Sequence, residues 1–231
     1  ETVTSLFKTV SNVNNPFSFK AWWDLIIAEK GSSYYTKAVL YETALKYLPG
    51  SYKLWYHYLS EARENLSLEP LSSKKYKIIN SLHERALEHL SKMPHIWLDY
   101  IEFLIHQNLI TKVRQAFDSA IKSLAITQHQ KLWRIYIDWC SSTGIISLGA
   151  SAYQRYLCIE PKIREEYIEF LIENKQYSLA LRNLIDIIND DGFYSNRGKS
   201  KHDYWITLSD IISYHSTELD SVNLNIDCEL V

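Results

Sequence analysis

A tryptophan followed three residues later by tyrosine or leucine recurs along the chain, and this recurrence constrains the fold more than any other feature. The motif positions are Trp22/Leu25, Trp55/Tyr58, Trp97/Tyr100, Trp133/Tyr136 and Trp205/Leu208, with Arg164/Tyr167 continuing the series without a tryptophan. Successive second positions are 31 to 42 residues apart, close to the roughly 34-residue period of paired-helix repeats. The recurrence therefore predicts a stack of similar helical units.

The stretch after Trp97 shows the helical pattern most clearly. Its apolar residues fall at i, i+3, i+4, i+7 and i+8, namely Trp97, Tyr100, Ile101, Leu104 and Ile105. This spacing places them on one face of an α-helix, so the segment is predicted to be a helix with one buried stripe. The same reasoning predicts a structural core made of Trp22, Trp55, Tyr58, Trp97, Tyr100, Trp133, Tyr136, Tyr167 and Trp205.

A second motif, built around a small residue, lies between the tryptophan segments. Ala44, Ala86 and Ala120 share the fourth position of Tyr-Glu-Thr-Ala-Leu, His-Glu-Arg-Ala-Leu and Phe-Asp-Ser-Ala-Ile, and Tyr156 takes that position in Tyr-Gln-Arg-Tyr-Leu. An alanine lets two helices approach closely while a large aromatic ring of the partner helix fills the groove beside it. The three alanines are therefore predicted core residues, and Pro94 is predicted to end the helix of Ala86.

Together the two motifs resemble the HAT (half-a-TPR) repeat, in which an aromatic-rich first helix precedes a second helix with a Glu-Arg-Ala-Leu-like core. Longer stretches resemble the N-terminal part of Syf-type pre-mRNA splicing factors, whose animal counterpart is called XPA-binding protein. These stretches are Asn-Pro-Phe-Ser before Trp22, Ser-Tyr-Lys-Leu before Trp55, Lys-Met-Pro before Trp97, Ile-Thr-Gln-His at 126–129, Glu-Tyr-Ile-Glu at 166–169 and Gly-Lys-Ser at 198–200. The resemblance covers nearly all of residues 15–231. It implies an all-α fold, a right-handed α-α superhelix (solenoid) of TPR-like HAT repeats.

The repeat pattern also predicts the organisation of the chain. Residues 1–15 are expected to be a polar lead-in and residues 16–231 a single HAT-repeat array. The repeats cover about 18–50, 51–93, 94–126, 127–160, 161–190 and an incomplete 203–231, with surface excursions at 65–77 and 189–203. Long loops of this kind are often functional.

The last repeat has little room for its second helix. Residues 219–231 are too few to cover the apolar stripe of Trp205, Leu208, Ile211 and Ile212. A solenoid repeat cannot bury its apolar face alone. Part of this stripe is therefore expected to stay uncovered, and the chain, interpreted as a fragment of a longer array, to self-associate through it.

Composition agrees with a helical, soluble protein. Of the 231 residues, 46% are hydrophobic and only six are glycine and five proline, which favours an all-α fold. The net charge of −2 does not indicate a polyanionic partner. The three cysteines are not spaced as in a disulfide framework, which is typical of a protein in a reducing compartment; they are Cys140, Cys158 and Cys228. No apolar run approaches the roughly 18 residues of a membrane span, so no membrane partner is expected.

No catalytic, cofactor or metal site is predicted. Residues 192–200 place five residues between two glycines where a P-loop has four, and they follow a predicted helix and not a strand. His83, His89 and His95 are six apart, so a helix scatters them around its axis. Trp23 and Trp139 fall off the main stripes, and we expect them to pack between repeats. The chain is predicted not to be an enzyme.

The resemblance implies a protein–protein interaction scaffold in pre-mRNA splicing, located in the nucleus. By the same resemblance it works in the nineteen-complex and intron-binding assembly of the spliceosome, beside a crooked-neck-like HAT protein and an Aquarius-type helicase. One alternative is direct RNA binding by the basic residues Lys74, Lys75, Lys77, Arg197, Lys199 and Lys201. Another is a scaffold in transcription-coupled DNA repair. A salt-dependent affinity for RNA would favour the first alternative.

Overall fold

Eleven α-helices and one short 3-10 helix form the regular structure in a computed structural model that describes residues 16–29, 31–66, 69–71, 73–190 and 192–215, and these ranges contain no strand. The helices are α1 (Phe19–Ala28), α2 (Tyr34–Tyr47), α3 (Tyr52–Glu64), α4 (Lys74–Leu90), α5 (Pro94–His106), α6 (Ile110–Ser123), α7 (Ile126–Ser142), α8 (Ile146–Leu157), α9 (Arg164–Glu173), α10 (Tyr177–Asn189) and α11 (Lys201–Tyr214). The 3-10 helix is Pro161–Ile163. The predicted all-α fold of paired helices is confirmed.

The chain divides into two compact units, Glu1–Leu132 and Trp133–Val231. In the first unit each helix from α1 to α6 packs against the next helix in sequence. In the second unit α8, α9, α10 and α11 do the same. Packing between neighbours in sequence is the contact pattern of a helical repeat protein, since each repeat contacts only the repeats beside it.

Local sequence determines where the helices begin. The Ser73 side chain accepts a hydrogen bond from the backbone N–H two residues later, and Ser200 forms a reciprocal capping box with Asp203. Pro94 is the first residue of α5, whereas α4 has already ended at Leu90. The prediction that Pro94 ends α4 is wrong because the fixed φ and the missing N–H of proline suit the first turn of a helix.

Three first helices hold their tryptophan in the same way. The indole N–H groups of Trp22, Trp55 and Trp97 each donate a hydrogen bond of 2.8 Å to the backbone carbonyl six residues earlier. That carbonyl lies before the helix begins. A buried indole N–H needs such an acceptor. Each of these tryptophans therefore fills the core and also fixes the preceding turn to it.

The motif alanines leave no space for a larger side chain. Ala44, Ala86 and Ala120 are all 0% exposed. We expect Ala86→Leu to lower the free energy of unfolding by about 1–3 kcal/mol, because the extra carbons overpack the α4 contact. Thermal unfolding measures this, with Ala28→Leu at the exposed end of α1 as the control. An Ala86→Leu protein as stable as wild type would contradict the close packing.

The buried stripe of α11 begins one residue earlier than predicted, at Tyr204 in place of Trp205. Tyr204, Leu208 and Ile211 are buried and pack against the apolar side chains of α10, whereas Trp205 is 42% exposed. The assignment of Trp205 to the core is therefore wrong: the three buried residues lie at i, i+4 and i+7, and the next residue points about 100° away. Of the predicted stripe, Leu208 and Ile211 are covered, whereas Trp205 stays partly uncovered. Residues 219–231 lie outside the described residues.

The connections between repeats are shorter than the predicted excursions. Helix α4 begins at Lys74, so Lys75 and Lys77 also lie in its first turn and not in a loop. Helix α10 ends at Asn189 and α11 begins at Lys201. The irregular part of the second connection is therefore about residues 190–200, with Gly198 at a positive φ of 69° that favours glycine.

Candidate interaction surface

The motif aromatics form the interior of the array. Nearly all predicted core residues are buried: Trp22, Ala44, Trp55, Tyr58, Ala86, Trp97, Tyr100, Ala120, Trp133, Tyr136 and Tyr167, with Trp205 the exception. Aromatic residues of second helices stack on the tyrosines of the next helix, with ring centroids 5.1 Å apart for Tyr41 and Tyr58, 5.3 Å for His83 and Tyr100, and 5.2 Å for Tyr153 and Tyr167. Stacking inside the protein takes up these ring faces, so they do not form a platform for RNA bases.

A carboxylate on the second helix binds the tyrosine of the next helix. Tyr58 Oη donates to Glu42 at 3.0 Å, and Tyr100 Oη donates to Glu84 at 2.9 Å. Arg85 joins the first of these pairs with two hydrogen bonds to Glu42, of 3.0 and 2.8 Å. The arginine is the main reason that the pKa of Glu42 is lowered. Glu42 of α2 is thus an anion that links α3 and α4.

An arginine also covers the tryptophan in two of the repeats. The Arg85 guanidinium carbon lies 5.8 Å from the Trp55 ring centroid, and that of Arg155 lies 5.4 Å from the Trp133 ring centroid. Both arginines occupy the third position of the second-helix motif, directly before Ala86 and Tyr156. These distances are in the range of cation–π contacts. Repeat three has Ser119 at the same motif position, before Ala120.

A cavity of about 410 Å³ opens at this serine. It lies among α4, α5 and α6, and its lining includes Glu84, Glu88, Trp97, Tyr100, Lys112 and Ser119. Trp97 is 6% exposed, compared with 2% for Trp55 and 2% for Trp133. Trp97 is therefore slightly more accessible than Trp55 and Trp133. A missing arginine does not by itself expose the ring, since Trp22 of repeat one, with Thr43 at the same motif position, is 1% exposed.

The basic residues predicted to contact RNA lie beside carboxylates in several places. Lys75 Nζ is 2.6 Å from Glu69. Arg197 pairs with Glu169, and Lys199 Nζ is 3.7 Å from the same carboxylate. Neighbouring anions reduce the local positive potential that a phosphate backbone would meet. The remaining predicted residues, Lys74, Lys77 and Lys201, are exposed at the starts of α4 and α11.

A buried carboxylate in the second unit was not predicted. Glu165 of α9 is 4% exposed and accepts hydrogen bonds from Ser195 Oγ, at 2.6 Å, and from Tyr204 Oη. It thereby fixes both the 190–200 connection and α11 to α9. Nothing in the residue pattern distinguishes Glu165 from the exposed carboxylates of a helix surface, so sequence reasoning had no signal for this site.

Burial of His83 makes stability depend on pH. The ring is 0% exposed, Nδ1 lies 2.9 Å from the carbonyl oxygen of Ile79, and burial is the main cause that lowers its pKa from 6.5 to about 4. Because the pKa is lower in the folded than in the unfolded chain, the stabilisation by the neutral ring is complete above about pH 6.5 and is lost as the pH falls towards 4. The loss amounts to about 3 kcal/mol.

Unfolding at pH 7 and pH 4.5 tests this expectation. His83→Phe should keep the ring stacking and remove most of this loss, so the variant should be less sensitive to acid than wild type. His89→Phe, at an exposed position of α4, is the control and should retain the wild-type sensitivity. Equal acid sensitivity of all three proteins would show that His83 is not the group responsible.

The other tryptophans and the cysteines noted in the sequence have the surroundings of structural residues. Trp139 is buried beside Tyr136, and Lys53 lies 4.2 Å over the Trp23 ring. Cys140 is buried and Cys158 exposed, while Cys228 lies outside the described residues. Within the ranges that the structure describes, no group of three His, Cys, Asp or Glu residues could hold a metal ion. In the same ranges no helix is long and apolar enough to cross a membrane.

The packing of paired helices through alternating tryptophan and alanine defines the class of protein, a helical repeat protein of the HAT type. Residues 11–162 match the family described as "Pre-mRNA-splicing factor Syf1/CNRKL1 N-terminal HAT repeat", and residues 164–231 match "Pre-mRNA-splicing factor SYF1 middle HAT repeat". The chain therefore belongs to the Syf1 family of HAT-repeat pre-mRNA splicing factors.

Curated relatives extend over nearly the whole chain. "Pre-mRNA-splicing factor SYF1" of Homo sapiens is 37% identical over 213 residues, which is 92% of this chain and 25% of that protein. The Dictyostelium discoideum protein of the same name is 36% identical over 91% of this chain and 25% of its own length. "Pre-mRNA-splicing factor cwf3" of Schizosaccharomyces pombe is 34% identical over 92% of this chain and 27% of its own. The chain thus spans about a quarter of the length of these relatives.

Proposed function

We propose that the chain is a non-catalytic protein–protein interaction scaffold in pre-mRNA splicing and that it acts in the nucleus. The observation that carries this proposal is the match of residues 11–162 to the N-terminal HAT repeats of Syf1-type splicing factors. By resemblance, its partners are proteins of the spliceosome's nineteen-complex and intron-binding assembly. A crooked-neck-like HAT protein and an Aquarius-type helicase are the partners proposed.

The structure supports a protein-binding role in two ways. First, the aromatic rings that could stack on bases are used for packing between helices. Second, Lys75, Arg197 and Lys199 lie beside carboxylates. Helical repeat proteins present extended surfaces to other proteins. RNA contact is therefore secondary in this proposal, and no observation favours a role in DNA repair.

Affinity capture from nuclear extract tests the proposal. The tagged chain should recover the same set of splicing proteins with and without ribonuclease treatment, because the contacts are made by protein. The tag alone serves as the control. Loss of those proteins after ribonuclease would instead indicate binding through RNA. Recovery of repair proteins without splicing proteins would favour a scaffold in transcription-coupled DNA repair.

Direct RNA affinity is expected to be weak and to depend little on salt. For single strands, log K falls by about 0.7 per log unit of salt for each phosphate contact, so three basic residues in contact would give a slope near −2. We expect a slope shallower than about −1 with a single-stranded RNA oligonucleotide. The triple variant Lys75→Ala, Arg197→Ala, Lys199→Ala should bind RNA with the same affinity and salt dependence as wild type. A slope near −2 that the triple variant abolishes would contradict this.

A further inference from the structure

The cavity beside Trp97 reproduces an arginine-binding site that the chain fills itself one repeat earlier. In that repeat Arg85 lies over Trp55 and binds Glu42, and Glu42 also accepts the Tyr58 hydroxyl. Trp97, Tyr100 and Glu84 each follow their counterparts Trp55, Tyr58 and Glu42 by 42 residues, and the hydrogen bond from tyrosine to glutamate recurs. The tryptophan, the tyrosine and the carboxylate are therefore repeated.

The arginine is not repeated. Ser119 holds the position on α6 that corresponds to Arg85 on α4, and its side chain has a single oxygen in place of a guanidinium. Serine is too short to cover the indole or to reach the carboxylate. A cavity of about 410 Å³ lies at this position and is lined by both Trp97 and Ser119.

Charge favours a cation in this cavity. Glu84 and Glu88 of α4 line it with two carboxylates, whereas Lys112 of α6 brings one ammonium group. Lys112 lies seven residues before Ser119, which is about 10.5 Å along the helix axis, so it does not stand in the arginine position. An excess of acidic groups attracts a cationic side chain and repels an RNA phosphate.

We propose that this cavity receives an arginine side chain from a partner protein. The incoming guanidinium would lie over Trp97 and bind Glu84 in the way that Arg85 lies over Trp55 and binds Glu42. Arginine is favoured over lysine because a planar guanidinium stacks on an indole and donates two parallel hydrogen bonds to a carboxylate. The inference rests on the proposed function, since it names the chemistry by which a splicing protein would dock on this face.

Titration of the intact chain with small probes tests the chemistry of the cavity. The probe is N-acetyl-arginine methylamide, and the signal is the indole N–H resonance of Trp97, assigned with Trp97→Phe. We expect this resonance to shift with the arginine probe, to shift several-fold less with the lysine analogue, and not to shift with the citrulline analogue, which lacks the charge. An unmoved Trp97 resonance, or equal shifts with arginine and citrulline, would overturn the proposal.

Three substitutions supply matched tests. Ser119→Arg should fill the cavity from within, raise the melting temperature and abolish the response of Trp97 to the probe. Thr111→Arg adds the same charge to α6 outside the cavity and should leave the response intact. Arg85→Ser should open the counterpart site, so that the Trp55 indole begins to respond. A Ser119→Arg protein that binds the probe as wild type does would overturn the proposal.

Capture from ribonuclease-treated nuclear extract separates this inference from the proposed function. Ser119→Arg should lose a subset of the splicing proteins that wild type and Thr111→Arg recover. If all three recover the same splicing proteins, the arginine site is refuted and the scaffold proposal stands; if wild type recovers none, the scaffold proposal itself fails. Sedimentation tests whether a second copy of the chain occupies the cavity instead. If wild type self-associates and Ser119→Arg abolishes the self-association, the cavity binds a second copy, and the assignment to a partner protein is overturned.

Discussion

Replacing Tyr204 by alanine is expected to lower the free energy of unfolding by about 3–5 kcal/mol. The ring is 5% exposed and belongs to the apolar cluster between α10 and α11, and its hydroxyl donates to the buried carboxylate of Glu165. The substitution removes the ring and also leaves Glu165 with one hydrogen-bond donor fewer, and an underpaired buried carboxylate is itself unfavourable. Denaturant unfolding of the intact chain measures the effect.

The adjacent residue provides the control for this prediction. Trp205→Ala should change stability by less than about 1 kcal/mol, because the side chain points about 100° away from the buried face of α11 and is 42% exposed. Neighbouring aromatic residues on one helix should thus differ by several kcal/mol. A larger effect of Trp205→Ala than of Tyr204→Ala would indicate that α11 buries the face that contains Trp205, as the tryptophan spacing predicts.

Replacing Trp97 by alanine is expected to lower the free energy of unfolding by about 3–5 kcal/mol through lost burial and a new cavity. Trp97 is a buried core residue of α5 and donates its indole N–H to the Ser91 carbonyl at 2.8 Å. Trp97→Phe keeps most of the ring and loses this hydrogen bond, so it should have a smaller effect. A Trp97→Ala protein as stable as wild type would mean that α5 presents a different face to the core.

The fold could be predicted from the sequence because helical periodicity reports burial directly. Trp97, Tyr100, Ile101 and Leu104 are all buried, as the i, i+3, i+4 and i+7 spacing requires. The same logic failed at α11, where Tyr204 and Trp205 are adjacent and either ring could begin a stripe. What decides between them is the tertiary contact of Tyr204 with Glu165, and this contact has no counterpart in local periodicity.

The candidate site was less predictable than the fold. Arg85 and Ser119 stand at equivalent places in the sequence, but the motif is recognised by its alanine, and the residue before it varies among Thr43, Arg85, Ser119 and Arg155. The importance of that position depends on a geometry that joins three helices, in which Arg85 reaches both Trp55 and Glu42. An alignment of the second helices with one another could have drawn attention to the missing arginine.

The basic residues show why surface charge is difficult to predict from the sequence. A run such as Arg197 to Lys201 predicts a positive surface when it is read alone, but Glu169, on another helix, lies beside two of its members. Long-range ion pairs join residues that are distant in sequence, so charge counts along the chain overstate the local potential. Exposure at this connection therefore does not by itself indicate an RNA site.

The central claim is that this chain serves pre-mRNA splicing as a protein-binding array, and a graft into the Schizosaccharomyces pombe relative cwf3 tests it most directly. The region of cwf3 that matches this chain would be deleted in one strain and replaced by this chain in another, and unspliced introns would be counted by RNA sequencing. We predict that the deletion raises intron retention and that the graft lowers it again. Normal splicing in the deletion strain would contradict the claim, because the region would then have no part in the reaction.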